Sequence, residues 1–348
     1  MTKKSNDLNT GNGPRKYFSS GTSAKKIPFD SIPVIDFSAM FGDDQSAKII
    51  VGEAVRKACT EVGFFYVKNH RVDDEIINNT FDAAESFFNA TIEKKLEVNI
   101  ENSEALRGYT ALLASGHDDT GKADFHEGFD LALDLDHSDE DVKSGVFGYA
   151  PNQWPPGMDS FKSSLTTYHS SIVDFGKKIF ESFALALELP TNHFEGAITK
   201  PMAHMRVLHY PPQDPKSNKN QMGIGAHSDY ECFTVLCTSG VPALQVLNTD
   251  GIWIQAPPIE GAFIVNVGDL MARWTNDYFQ STVHRAINLS GKRRYSIPFF
   301  YGPNSKEIIE VLPSCQSKTT IAKYEPIEAG EYIKSRFDDT YVHRQEEN

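Results

Sequence analysis

The sequence predicts a mainly β protein, a jelly roll or sandwich built from Greek keys, with an α-rich first half laid over it. Three observations carry this. Before about residue 202 the apolar residues recur at helical spacing, and after it they alternate with a period of two. The second half holds short apolar runs parted by Gly, Pro, Asn or Asp, the pattern of strands and tight turns. Among them "NTDGIW" carries an Asp-Gly pair, the strongest short-range hairpin signal.

Taken in order, residues 1–27 are rich in Lys, Ser, Asn and Gly and are expected to form a disordered tail. "IPVIDF" reads as a short buried strand. "SAKIIVGEAVRKACTEVG" has apolar residues at helical spacing, with Gly63 placed to close the helix. "FFYVKNH" is a second strand, and residues 74–98 and 158–189 carry the 3.6-residue period of helices. Then "MRVLHYP", "FTVLCT", "ALQVLN", "IWIQA", "AFIVNVGD", "STVHRAINL" and "RYSIPFFYG" read as strands. The expected organisation is an α/β region over 28–201 packed on a β core at 202–304, with residues 305–348 completing the fold. No Gly/Pro-rich linker parts the two halves, and no internal repeat is seen.

Composition narrows the function. Of 348 residues 40% are hydrophobic, and 23 Phe against 3 Trp promise a large apolar core. A formal charge of −13, with no local Lys/Arg cluster, argues against a nucleic-acid or anionic-membrane partner. Cys59, Cys232, Cys237 and Cys315 form no C-x-x-C pair, which suits a reducing compartment. No apolar run reaches the ~18 residues of a membrane span, and no hydrophobic signal core opens the chain. A cytoplasmic protein acting on a small molecule is the expectation.

Within the β half, "GIGAHSDYECF" sets His227 and Asp229 two positions apart in strand-like sequence, where successive side chains alternate and i, i+2 pairs share a face. "STVHRAINL" adds His284 on another strand, and "RRYSIPFF" gives Arg294 and Ser296, again at i and i+2. Two imidazoles and one carboxylate from separate strands are the ligand set of a facial triad, which leaves adjacent open positions on Fe(II). The planar fork of an arginine beside a serine hydroxyl suits a carboxylate, and an arginine inside a barrel calls for an anion.

His227, Asp229, His284 and the R-x-S of Arg294–Ser296 resemble the signature of the 2-oxoglutarate/Fe(II)-dependent dioxygenases of the isopenicillin N synthase-like superfamily. "IPVIDF", "GFFYVKNH", "RGY", "EGFDLALD", "PNQWP" and "LHYPPQ" resemble that family in the same order, over roughly residues 31–304. The resemblance implies a double-stranded β-helix, Fe(II) on His227, Asp229 and His284, and 2-oxoglutarate held by Arg294 and Ser296. Tyr210 matches the family tyrosine that also bonds this co-substrate, whereas Leu208 stands where many plant members have an Asn. The implied reaction takes O2 and releases succinate and CO2, with ascorbate as a reductant, and hydroxylates, desaturates or cyclises a small organic substrate of secondary metabolism or catabolism.

For substrate contacts the sequence offers Arg107 and Tyr109, His126, Glu127 and Asp130 in "FHEGFD", and Phe299 past the R-x-S motif. His209 alternates away from Tyr210 and reads as structural, as does His70. Asn266 and Asp269 in "NVGDL" read as a turn fixed by side-chain hydrogen bonds. Two other functions compete: an oxidase like isopenicillin N synthase, which needs no 2-oxoglutarate, and a non-catalytic binder on the same barrel.

Overall fold

The computed structural model describes residues 5–11, 13–18, 32–114, 123–213 and 221–345. The chain begins with a correction. Ser5–Thr10 (β1) pairs antiparallel with Gly13–Phe18 (β2), where composition predicts a structureless tail. Tertiary contacts make the difference: Leu8 is buried against Ala226, Leu247, Trp253 and Val283, and the Gly11 N–H donates to Asp269 Oδ2 at 3.0 Å. Residues 1–4, 12 and 19–27 of the expected tail lie outside the described residues.

The α-rich half follows. After β3 (Val34–Asp36), α1 (Gln45–Glu61) starts at Asp44, whose carboxylate accepts from the backbone N–H groups of Ser46 and Ala47. It ends at Gly63, which takes φ 75° and donates its N–H to Ala58 O at 2.9 Å. Next comes β4 (Phe64–Lys68). The single helix expected over 74–98 is two, α2 (Asp74–Phe88) and α3 (Ile92–Leu96), because the Thr91 hydroxyl caps a new start by accepting from the Lys94 N–H. Two strands, β5 (Gly108–Thr110) and β6 (Glu127–Leu131), precede the short α4 (Glu140–Lys143) and the 28-residue α5 (Asp159–Ala186). Gly176 lets α5 lie directly on the Tyr301 ring, where a Cβ would collide.

The β half holds β7 (Pro201–Tyr210), β8 (Ile224–His227), β9 (Phe233–Thr238), β10 (Leu244–Leu247), β11 (Trp253–Gln255) and β12 (Ala262–Val267). It continues through α6 (Asp269–Trp274), β13 (His284–Ala286), β14 (Arg294–Asn304), the small pair β15 (Ile308–Ile309) and β16 (Ile327–Glu328), and α7 (Ala329–Gln345). Every apolar run read as a strand after residue 202 forms one.

Two sheets face each other across the interior. The larger has the order β3-β4-β12-β9-β14-β7-β6-β5, and the smaller β11-β10-β13-β8. Strands of the N-terminal half therefore extend the same sheet that the β core builds. Its registers make the two faces easy to separate. In β4, β6, β7, β9, β12 and β14, odd-numbered residues such as Phe65, Phe129, Val207, Val235, Val265 and Phe299 enter the main apolar cluster with Ile172, Ile179 and Phe183 of α5. Even-numbered residues face the smaller sheet. At one end they join a second apolar cluster with Leu244 and Val246, and at the other they line a cavity. No described helix is long and apolar enough to cross a membrane.

Candidate active site

The cavity between the sheets has a volume of about 520 Å³, within the range of roughly 300–1,000 Å³ usual for ligand sites. His227, Asp229 and His284 line it, with Tyr210, Arg294 and Ser296. His227 ends β8 and is paired in register with His284 on β13, so their rings sit 4.3 Å apart between centroids. Asp229 lies just past the strand end, and the turn brings it in line with the two imidazoles.

Each donor is aimed by a contact on its other side. The ring Nδ1 of His227 lies 2.8 Å from Gly225 O and that of His284 3.1 Å from Thr282 O, so both Nδ1–H groups donate to backbone and both Nε2 atoms keep their lone pairs. Those Nε2 atoms lie 3.5 and 3.6 Å from Asp229 Oδ1. Asp229 Oδ2 is occupied by the Asn266 amide at 2.7 Å and by the Thr234 hydroxyl. Donors on bonds of about 2.1 Å at right angles stand about 3 Å apart. Three donor atoms within 4.8 Å of one another therefore need only a small contraction to hold one ion. Burial raises the Asp229 carboxyl, but His284 and His227 outweigh it and hold the group far below the usual carboxylate range. Burial lowers His227, and the Asp229 carboxylate overrides this and raises it.

Asp269 braces the centre from behind. Its Oδ2 accepts from Ser228 Oγ at 2.9 Å as well as from Gly11, and its Oδ1 from Ser281 Oγ at 2.6 Å. Ser228 separates His227 from Asp229, and Ser281 lies three residues before His284, so one buried carboxylate ties both ligand-bearing segments together. Beyond the turn that the sequence predicts for them, Asn266 orients Asp229 and Asp269 braces the segments that carry His227, Asp229 and His284.

Arg294 is 2% exposed. It donates to Ser296 Oγ at 3.2 Å and from Nε to Val241 O at 3.2 Å, while its guanidinium carbon stands 4.5 Å over the Tyr210 ring. Ser296 Oγ lies 3.4 Å from the Tyr210 hydroxyl. The three side chains thus form one cluster in the cavity that His227, Asp229 and His284 also line.

The residues offered as substrate contacts divide by strand parity. Tyr109, Glu127 and Phe299 are odd-numbered and point to the helices, away from the cavity. Glu127 accepts from Tyr109 Oη at 2.5 Å, Lys95 Nζ at 2.7 Å and His209 Nδ1 at 2.7 Å, and Phe299 packs 5.0 Å from His169. The expected structural role of His209 follows from the same parity. His126 precedes β6 and has its Nδ1 2.8 Å from Gly223 O, a tie to the segment leading into β8. Arg107 donates to the carbonyls of Ala105 (2.6 Å) and Gly148 (2.9 Å) behind the cavity wall. Of the "FHEGFD" carboxylates, Asp130 reaches the cavity, with His204 and Arg206, two residues that sequence reasoning passed over.

Comparison with known proteins decides the family. A model of the 2OG-Fe(II) oxygenase superfamily matches residues 201–303, and one of the non-haem dioxygenase in morphine synthesis N-terminal region matches 32–157. The chain belongs to the 2-oxoglutarate/Fe(II)-dependent oxygenase superfamily. It is 34% identical over 316 residues to the 2-oxoglutarate-Fe(II) type oxidoreductase hxnY of Emericella nidulans, covering 89% of this chain and 90% of that protein. It is 34% identical over 328 residues to a homoarginine-6-hydroxylase of Oryza sativa, covering 90% and 98%. The crystal structure of a full-length Neurospora crassa protein in complex with alpha-KG superposes with a TM-score of 0.81 at 30% identity, over 90% of this chain and 98% of that one. As a 2-oxoglutarate/Fe(II) oxygenase, the chain is an oxidoreductase dependent on iron and 2-oxoglutarate, with the jelly-roll core its strand pattern predicts. The oxidase and non-catalytic alternatives fall with that assignment.

Proposed function

We propose that His227, Asp229 and His284 hold the Fe(II), and that Arg294, Ser296 and Tyr210 take the distal carboxylate of 2-oxoglutarate. The observation that carries this is the convergence of two Nε2 atoms and one carboxylate oxygen, each with its other polar atom already engaged. Bound there, Fe(II) with 2-oxoglutarate supplies the O2-dependent oxidation of an unactivated C–H bond and releases succinate and CO2. The chain's own residues do the rest. Gly225 and Thr282 carbonyls fix the imidazole tautomers, Asn266 and Thr234 hold Asp229 so that Oδ1 faces the imidazoles, and Leu208, Leu236, Ile224 and Leu244 keep the cavity wall apolar.

The prime substrate in this reading is a small nitrogen-bearing organic molecule. Relatives named for homoarginine hydroxylation, and a structure of the same Neurospora crassa protein with alpha-KG and thymine, support it. The four cysteines, all free, support a cytosolic setting. The assignment is tested by adding Fe(II) and 2-oxoglutarate anaerobically and following the visible charge-transfer band of the chelated co-substrate. Wild type should develop the band and His284→Ala should not; a full band in His284→Ala would overturn the ligand set.

A further inference from the structure

Asp130 is 4% exposed, and its two oxygens are treated unequally. Oδ1 accepts from His204 Nε2 at 2.8 Å and forms an ion pair with Arg206, whose Nε lies 2.9 Å away. Oδ2 is buried with no hydrogen-bond partner. Leaving a buried acceptor unpaired costs about 1–3 kcal/mol, and native structures seldom keep one without a reason. The registers explain how the cluster arises. Asp130 and Arg206 are directly paired across β6 and β7, His204 is paired with Phe300 across β7 and β14, and all four are even-numbered and line the cavity.

The charge states follow from the contacts. Burial raises the Asp130 carboxyl, but Arg206, His204 and Arg107 together bring it below the usual range, so it is ionised. Burial lowers His204, and the Asp130 contact does not fully offset this, so the ring is neutral. Its Nδ1 stands 3.4 Å from Arg107 Nη1, which makes Nδ1 the acceptor and Nε2–H the donor to Asp130. Around the unpaired oxygen the Asp130 carboxylate is thus already matched by the Arg206 and Arg107 guanidiniums, and Arg107 also faces Asp134. A cationic ligand would meet a carboxylate already neutralised by guanidiniums. An anionic ligand would be drawn to Arg206 but would leave Oδ2 unpaired and set a second negative charge beside it. A neutral group carrying an N–H next to a carbonyl satisfies both: the N–H donates to Asp130 Oδ2 and the carbonyl accepts from Arg206. The apolar flanks of the same wall, Leu106, Leu208, Pro298 and Phe300, suit a flat ring.

We infer that Asp130 and Arg206 read a secondary-amide edge, so that the substrate class is a small neutral lactam or cyclic imide. This rests on the assignment of the iron and 2-oxoglutarate site above. The test uses the full chain loaded with Fe(II) and 2-oxoglutarate under anaerobic conditions, with uracil as probe and the charge-transfer band as readout. Uracil should perturb the band, and 1,3-dimethyluracil, which lacks the N–H donors, should bind about 10- to 100-fold more weakly, the worth of one hydrogen bond to a charged group. Asp130→Asn should weaken uracil by a similar factor and leave dimethyluracil where it was. Because the comparison of the two rings is made on wild type, it stands even if the variant does not fold. Equal binding of the two rings, no binding of uracil, or tighter binding of benzoate or butylguanidinium than of uracil would each overturn the inference. Absence of the band before any ring is added would instead overturn the site assignment beneath it.

Discussion

Glu127 and Asp130 stand three residues apart on β6, both buried carboxylates, and they differ in what surrounds them. Glu127 faces the helices and accepts from Lys95, Tyr109 and His209, which together use both its oxygens. Asp130 faces the cavity and keeps one oxygen unpaired. A spacing of three on a strand sends two side chains to opposite faces, so the same residue chemistry serves the fold on one side and a ligand on the other. Glu127, with both oxygens engaged, holds structure; Asp130 leaves an acceptor unpaired on the face that lines the cavity.

The contrast predicts that changes on the cavity face remove function while changes on the helix face remove stability. The largest effect should come from Asp229→Ala, which takes away the only anionic donor: succinate release should fall by at least about 10³-fold, with far-ultraviolet circular dichroism unchanged. Retained turnover would break the assignment. Glu127→Ala should do the reverse. Breaking a buried pair with Lys95 should cost about 3–5 kcal/mol in urea unfolding, without shifting the 2-oxoglutarate requirement of the protein that remains folded.

A pH series sharpens the same point. Burial raises the Glu127 carboxyl, but its three hydrogen-bond partners and the Lys95 charge bring it down to about 2. A folded-state value below the unfolded one gives stability that is present above the ordinary carboxylate range and lost as pH falls. The advantage of wild type over Glu127→Gln should therefore shrink by about 3 kcal/mol between pH about 4.5 and about 2, and a constant gap would contradict it. Arg294→Leu should raise the apparent 2-oxoglutarate requirement about 100-fold and leave the iron requirement in place, as measured by succinate release at varied co-substrate. The smallest effect belongs to Phe299→Leu. It should cost about 1 kcal/mol in thermal unfolding and leave substrate preference alone, because that ring packs on the helix side.

The proposed iron and co-substrate site is legible in the sequence because its residues sit in or beside short strands whose apolar pattern makes a histidine or an arginine conspicuous. His227, His284, Arg294 and Ser296 stand out that way. The substrate wall does not. Alternation alone separates Glu127 from Asp130, but which of the two faces the cavity depends on the pairing of Asp130 with Arg206, a contact 76 positions away along the chain. Asn266 carries a usable signal, a lone amide in the apolar run "AFIVNV". Asp269 carries none, because its partners Gly11, Ser228 and Ser281 come from three remote segments. The hairpin of β1 and β2 escapes sequence reasoning for the same reason: Leu8 packs on residues more than two hundred positions away.

That carboxylate at 269 gives the amino end a reach its composition does not advertise. The Gly11 amide shares one oxygen of it with Ser228, the residue between the first imidazole and its acidic neighbour. Both termini thus reach the cavity's surroundings, the amino end through Asp269 and the carboxy-terminal helix through Phe337, which lines the cavity itself.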